Sequence, residues 1–540
     1  MANFFYRINL IFMLLAPLCI VSLSQPSHLI TSCLTHNHVT NFTLHPTSQN
    51  HLNTSSYYNL LLFSLQNLRF STLENPKPNV IILPESKEQL VSSFLCAKKS
   101  AYEVRVRSGG HSYEGVSSVS RDGKPFVIID MINLDKVVVD LRLKTAWVEG
   151  GATVGQVYYT IAKQSKGVYG FSGGSCSTIG VGGHFLGGGF GFLSRKYGLA
   201  ADNVMDVLLV GPTGQVLDRA SMGEDVFWAV RGVGGGSFGI VYAWKIKLLK
   251  VPPKVTAFQV SRNGHVDSIS QLVHNWQEVG PYLHDDFYLS ISIGANNGEN
   301  GTNVVTTFSG QYLGDKLKAI SILNNVFPEL RIREDECQDM SWIESVLYFS
   351  GLGEGTTIND LKNRYLQSKN YYKAKSDYVT TPIPIKGIRG AMEILAKEHK
   401  GNIILDPYGG KMARIANDSI AFPHRKGNLF SIQYLLSWEN EDVSNNDRYI
   451  GWIRGFYEYM APFVSSNPRA AYVNYLDFDL GEELDYNVVD SMNGRVWGEK
   501  YFLNNYERLV KAKTIFDPCN FFRYPQGIPP MSINKKCHNP

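Results

Sequence analysis

A chain of 540 residues is too long for one hydrophobic core, which predicts two packed domains with ample material for a buried site. Its formal charge of +4 is small for that length and no long basic run occurs, which argues against nucleic acid as a partner. Beyond the N-terminus no uncharged apolar stretch is long enough to span a membrane.

Residues 1–24 carry Arg7, an apolar run from Ile8 to about Leu23 broken by Pro17, and the small residues Ser22 and Ser24. This reads as a cleaved signal peptide and predicts a secreted or vacuolar protein. Sequons at Asn41, Asn53, Asn300 and Asn417 agree with that route. Of the seven cysteines, Cys19 leaves with the signal, and Cys33, Cys96, Cys176, Cys337, Cys519 and Cys537 meet an oxidising compartment. Parity alone does not set their pairing. One arrangement staples the N-terminal segment to a helix through Cys33 and Cys96, pins the tail through Cys519 and Cys537, and leaves Cys176 free for chemistry.

Residues 25–75 are polar and read as an N-terminal cap with a short helix at Ser56–Leu65. Residues 76–252 alternate strands and helices. PNVIILP is a strand, Ser86 caps a helix running to Ser100, and VRVR is the next strand. FVIID, KVVVD and TAWVE follow as strands, and Val154–Ser165 as a helix. A hairpin turns at Pro212-Thr213-Gly214, and a second glycine-rich turn precedes a long strand that closes the domain near Pro252. Residues 253–480 mix long strands such as DFYLSISIG with helices at Lys316–Phe327 and Ile385–His399, the texture of an α+β domain. In residues 481–540, one amphipathic helix at Val496–Phe516 is expected to return Trp497, Tyr501, Phe502, Leu509 and Val510 to the first domain.

Gly167–Gly198 is the densest glycine run in the chain and holds Cys176 and His184. Glycine gives up more backbone entropy than any other residue, so clustering implies a backbone that must approach a ligand closely or adopt positive φ. Upstream, RVRSGGHSY ends a strand in a Gly-Gly turn suited to an anion nest for a diphosphate. That segment lacks the nicotinamide-type GxGxxG and the P-loop Gly-Lys-Ser/Thr. Alone, His111 reads as a satisfied turn histidine and Cys176 as a small buried thiol. As a pair in one domain, an imidazole and a nucleophilic thiol suit opposite sides of a large aromatic cofactor.

The segments SGGHSYEG, GGSCSTIGVGGHFLGGGFGFLSRKYGLAADNV, AYVNYLDFDLG, WGEKYF and DPCNFFRYPQGIPP, in this order, resemble the plant berberine-bridge-enzyme-like flavoproteins, whose members include cannabinoid oxidocyclases. The resemblance implies an α+β fold of the vanillyl-alcohol-oxidase (PCMH) type: an FAD-binding domain, an α+β substrate domain with an antiparallel sheet, and a C-terminal segment returning to the FAD domain. It implies FAD held bicovalently, through His111 and Cys176. The cofactor-binding set it suggests also takes in Arg107, Ser108, Gly109, Gly110, Ser112, Gly174, Ser175, Gly180, Gly183, His184, Gly187 and Gly239.

On the substrate side, Tyr475 resembles the family's catalytic tyrosine, and Tyr197 and Gln433 resemble active-site positions of alcohol-oxidising members. A phenol needs a cation or hydrogen bonds beside it to act as a base near neutral pH. Ser292 stands where cannabinoid enzymes have histidine, Ser431 or Gln433 where they have glutamate, and Leu476 where arginine is common, which disfavours cannabinoid synthesis. Ile179 sits near the expected oxygen approach. The implied activity is oxidation of a small phenolic, prenylated or alkaloid metabolite, with oxygen as acceptor and ring closure as an optional outcome. Oxidation of a carbohydrate or allylic alcohol, a non-redox cyclisation on the flavin scaffold, and an inactive binding protein are the alternatives.

Overall fold

A computed structural model describes residues 26–46, 56–298, 301–365, 368–484 and 491–532. The expected signal peptide, the sequons at Asn53 and Asn300, and Cys537 lie outside the described residues. Asn41 and Asn417 are exposed.

The first sheet joins β1 (Phe42–Leu44), β2 (Val80–Ile82), β3 (Glu103–Arg107) and β4 (Phe126–Asp130) in the order β1-β2-β4-β3. β1 runs antiparallel to β2, and the other two pairings are parallel. The residues expected as a cap therefore supply an edge strand to this sheet. β2 and β4 are buried along their whole length, which is why they read as unbroken apolar runs. The helix Lys87–Lys99 starts where Ser86 accepts a hydrogen bond from the Gln89 amide, as expected of its N-cap. The Cys33–Cys96 disulfide ties this helix to Pro26–His36.

The chain continues through β5 (Val137–Asp140), β6 (Thr145–Glu149), β7 (Tyr169–Gly170), β8 (Val204–Val210), β9 (Val216–Leu217), β10 (Ile240–Lys247) and β11 (Leu249–Lys250). Five of these make an antiparallel sheet in the order β5-β6-β10-β8-β9, and β11 pairs with β7.

The second domain is built on β12 (Val255–Gly264), β13 (Phe287–Gly298), β14 (Gly301–Tyr312), β15 (Gln338–Met340), β16 (Tyr371–Val379), β17 (Gly401–Pro407) and β18 (Phe430–Trp438). They form one antiparallel sheet of seven strands, ordered β15-β12-β14-β13-β17-β18-β16. Side chains alternate between its faces. On β18, Phe430, Tyr434 and Trp438 pack against Trp276, Phe456 and Tyr449 of the covering helices. Gln433, Leu435 and Ser437 point the other way, toward the first domain. The same alternation sends Leu289, Ile291, Ile403 and Leu405 into the core, and turns Tyr288, Ser290, Ser292, Ile404 and Asp406 to the opposite face.

The helix expected at Val496–Phe516 is two helices, Ser491–Phe502 and Tyr506–Phe516, separated by a 3-10 turn at Leu503–Asn505. Leu503 takes φ 47°, and the Asn505 amide donates to the carbonyls of Asn417, Ile420 and Ala421, so the break is where the segment grips the second domain. All five residues expected to dock are buried. The tail then returns to the first domain. The fully buried Lys513 ammonium bonds Asp517 and the carbonyls of Ser237 and Phe522, each at 2.7 Å, and the Phe522 ring stacks on Phe94 at 5.2 Å.

Candidate active site

β3 runs out at Arg107 into the turn Ser108-Gly109-Gly110, where Gly110 takes φ 72°. A Cβ on Gly109 would lie 2.2 Å from the Gly180 nitrogen, and one on Gly180 would lie 2.2 Å from the Gly109 nitrogen. The two glycine-rich turns therefore touch backbone to backbone, which only paired glycines allow. This contact brings His111 and Cys176 onto the wall of one cavity of about 760 Å³. His111 Nε2 lies 2.9 Å from Thr178 Oγ1, and the same hydroxyl lies 3.5 Å from Cys176 Sγ. Burial lowers the His111 pKa to about 4, so the ring is neutral with a lone pair available at neutral pH.

Ser108, Gly109, Gly110 and Ser112 line the cavity beside His111. Gly174, Ser175, Gly180, Gly183 and His184 line it beside Cys176, and Gly239 lines it from the second glycine-rich turn. His184 Nε2 accepts the Gly174 N–H at 2.9 Å, and burial lowers its pKa to about 4 as well.

Three expected site residues lie off this wall. Arg107 is fully buried beneath the turn, in an ion pair with Asp130 and in hydrogen bonds to the carbonyls of Leu60 and Leu61. Its charge is spent on the fold and not on the cavity wall. At Gly187 a Cβ would meet Asn474 Oδ1 at 2.0 Å, so this glycine serves close packing. The Tyr197 hydroxyl donates to the Lys250 carbonyl, which turns the ring away from the cavity.

The facing wall is the polar side of the seven-stranded sheet, completed by the loop that carries Tyr472 and Tyr475. Tyr475 stacks on Tyr113 with ring centroids 5.4 Å apart and meets Tyr472 edge-on at 4.9 Å. Gln433 donates from Nε2 to the Tyr113 hydroxyl, and Ser431 is absent from the described lining. Ser292, Leu476 and Ile179 all line the cavity. The Ser292 hydroxyl donates to the Asn402 side chain at 3.2 Å. Burial raises the Tyr475 pKa well above the usual value, and the phenols of Tyr113, Tyr472 and Tyr288 and the carboxylate of Asp406 push it further. Among the described neighbours no cation supports a phenolate, so the Tyr475 phenol is held in its protonated form near neutral pH.

Asp406, Tyr288 and Tyr372 belong to this wall, Tyr113 reaches it from the turn after His111, and all four escaped the sequence reading. Asp406 accepts a hydrogen bond from the Tyr288 hydroxyl, and burial raises its pKa to about 6. Its signal lay in the strand GNIILDP, where an acid occupies the phase opposite to Ile403 and Leu405.

The family described as FAD binding domain matches residues 78–219, and the family described as berberine and berberine like matches residues 471–529. The chain is 57% identical to berberine bridge enzyme-like D-1 of Nicotiana tabacum, over 98% of this chain and 97% of that one. The chain belongs to the berberine bridge enzyme-like family. A reticuline oxidase of Papaver somniferum is 45% identical, with 96% of each chain covered. The structure of berberine bridge enzyme from Eschscholzia californica superposes with a TM-score of 0.89 at 45% identity, covering 94% of this chain and 99% of that one.

As a berberine bridge enzyme-like protein, the chain is an FAD-linked oxidoreductase with a PCMH-type FAD-binding domain. The cavity fits that cofactor. Side chains grown from Gly183 or Gly235 would meet no protein atom within 4 Å, leaving open wall where a flat ring system or a diphosphate can lie against bare backbone.

Proposed function

We propose that the protein oxidises a small plant metabolite of the phenolic, prenylated or alkaloid class, held between the flavin and the polar face of the seven-stranded sheet. The observation that carries this reading is the meeting of His111, Cys176 and that sheet face around one cavity. The flavin, once bound, supplies the hydride acceptor, with oxygen as the final acceptor and hydrogen peroxide as its product.

His111 and Cys176 are the two tethers in this proposal. The His111 ring is neutral and held through Nε2 by Thr178, which leaves Nδ1 as the nitrogen free to bond the cofactor. The Cys176 sulfur is anchored by the same hydroxyl. Tyr475 and Gln433 act as neutral hydrogen-bonding groups that orient the substrate, and the stack on Tyr113 fixes the angle of the Tyr475 ring. Phe190, Phe192 and Phe349 supply an apolar flank that keeps water from the reacting carbon. The apolar run at residues 8–23 supports export to the apoplast or vacuole.

The test is to precipitate the purified protein in acid and then to add candidate substrates to intact protein without oxygen. Yellow colour retained in the pellet and bleaching by a phenol or an amine support the proposal, whereas a colourless protein refutes it. The polar lining of Gln259, Ser290, Ser292, Ser309 and Ser437 supports a second reading, oxidation of a carbohydrate or an allylic alcohol. Bleaching by those compounds alone would select it.

A further inference from the structure

Among the described residues that line the cavity, Asp406 is the one carboxylate. It projects from β17 on the same face as Ile404, and its recorded hydrogen bond is the one donated by the Tyr288 hydroxyl on the neighbouring strand. No lysine, arginine or histidine among the described residues pairs with it. The cations elsewhere on the wall are committed differently: Arg105 and Arg523 both pair with Glu103 at 2.9 Å.

A carboxylate drawn out of water without a counter-charge is costly, and structures that keep one usually place a cation beside it. Here the described residues supply none. Around Tyr288 they supply aromatic faces instead: Phe192 lies 4.5 Å from Tyr288 and Phe190 lies 6.2 Å from it, ring centre to ring centre. An acid bonded to a tyrosine whose ring is flanked by two phenylalanines on the same cavity wall is an arrangement that selects an organic ammonium, because the charge meets the carboxylate while its carbon substituents meet the rings.

We propose that Asp406, oriented by Tyr288, is the subsite that receives the protonated amine of the substrate, so that the enzyme selects a basic nitrogen compound over a neutral phenol or sugar. The inference rests on the reading of this cavity as the substrate site. Asp406 determines specificity here, while Tyr475 and Gln433 remain the groups that orient the reacting end.

The experiment titrates the flavin-loaded enzyme with benzylammonium and with benzyl alcohol, which shares its shape without the charge. Binding is followed by the flavin difference spectrum and by calorimetry. The native enzyme is expected to prefer the cation. Asp406→Asn keeps the shape of the side chain and should weaken benzylammonium on the order of tenfold while leaving benzyl alcohol unchanged. Asp406→Glu, which restores the charge, should recover part of the cation preference. Equal binding of both probes by the native enzyme, or undiminished benzylammonium binding by Asp406→Asn, overturns the role of Asp406 and leaves the cavity reading standing. If neither probe perturbs the flavin or releases heat, the cavity reading falls, and the proposal falls with it.

Discussion

His111 Nε2 lies 2.9 Å from Thr178 Oγ1, on a residue two positions beyond Cys176. One hydroxyl thus orients the two groups proposed to hold the flavin, since Cys176 Sγ is 3.5 Å from the same atom. Thr178→Val keeps the shape and removes the bond, freeing the imidazole to rotate. Covalent flavin in the acid pellet should accumulate more slowly and to a lower final level, and Thr178→Ser should restore it. The lost bond is worth about 1–2 kcal/mol, so the fold should persist.

Removing the tethers one at a time tests the attachment itself. His111→Ala and Cys176→Ala should each retain flavin in the denatured pellet through the remaining bond, and the double variant should release it. Mass spectrometry of the peptides around residues 111 and 176 checks each link. Flavin remaining on the denatured double variant would mean that other residues attach it.

The sequence exposed the elements whose pattern is local. Ser86 marked its helix because a hydroxyl at that position takes the Gln89 amide, and the strands of the second domain announced themselves through β-rich runs such as DFYLSISIG. His111 and Cys176 were legible because each sits in its own glycine-rich turn. What stayed hidden depended on partners distant in the chain. Arg107 stood in the expected cofactor-binding set beside a Gly-Gly turn, and only the parallel pairing of β3 with β4 sets it against Asp130. Tyr197 looked catalytic by position, but its hydroxyl is taken by Lys250, 53 residues away. Asp406 drew no notice because nothing local distinguishes an acid facing a cavity from one facing water.

The contact between Gly109 and Gly180 predicts a sharp steric effect. In Gly180→Ala the new methyl would sit 2.2 Å from the Gly109 nitrogen and also 2.2 Å from Ser108 Oγ, so the two turns must separate. Overpacking of this kind typically costs about 1–3 kcal/mol. Flavin content should fall more steeply than stability does, because the separation moves His111 away from Cys176. Absorbance at the flavin band relative to protein, set against a thermal melt, distinguishes the two losses. Gly183→Ala, whose methyl meets no protein atom within 4 Å, should leave stability unchanged and intrude only on the cofactor space.

Asp406 carries a pH signature in stability as well as in binding. The groups the structure couples to it are the phenols of Tyr288, Tyr113, Tyr408, Tyr472 and Tyr475, all uncharged near neutral pH, so desolvation dominates and raises its pKa to about 6. An ordinary aspartate in the unfolded chain titrates near pH ~4. The native state therefore binds the proton more tightly, and stability falls as pH rises from about 4 through about 6, then levels off. Asp406→Asn lacks this cost. It should match the native protein at about pH 4 and exceed it at about pH 8, by on the order of 1–2 kcal/mol once partial exposure of the side chain to the cavity is allowed for. Benzylammonium should bind the native enzyme more tightly as pH rises through about 6, because the carboxylate it pairs with becomes ionised there. Melting temperatures of both proteins across that range, with and without the amine, check the sign of each effect. A native protein that gained stability between pH 4 and pH 6 relative to Asp406→Asn would instead place an unrecognised cation beside the carboxylate.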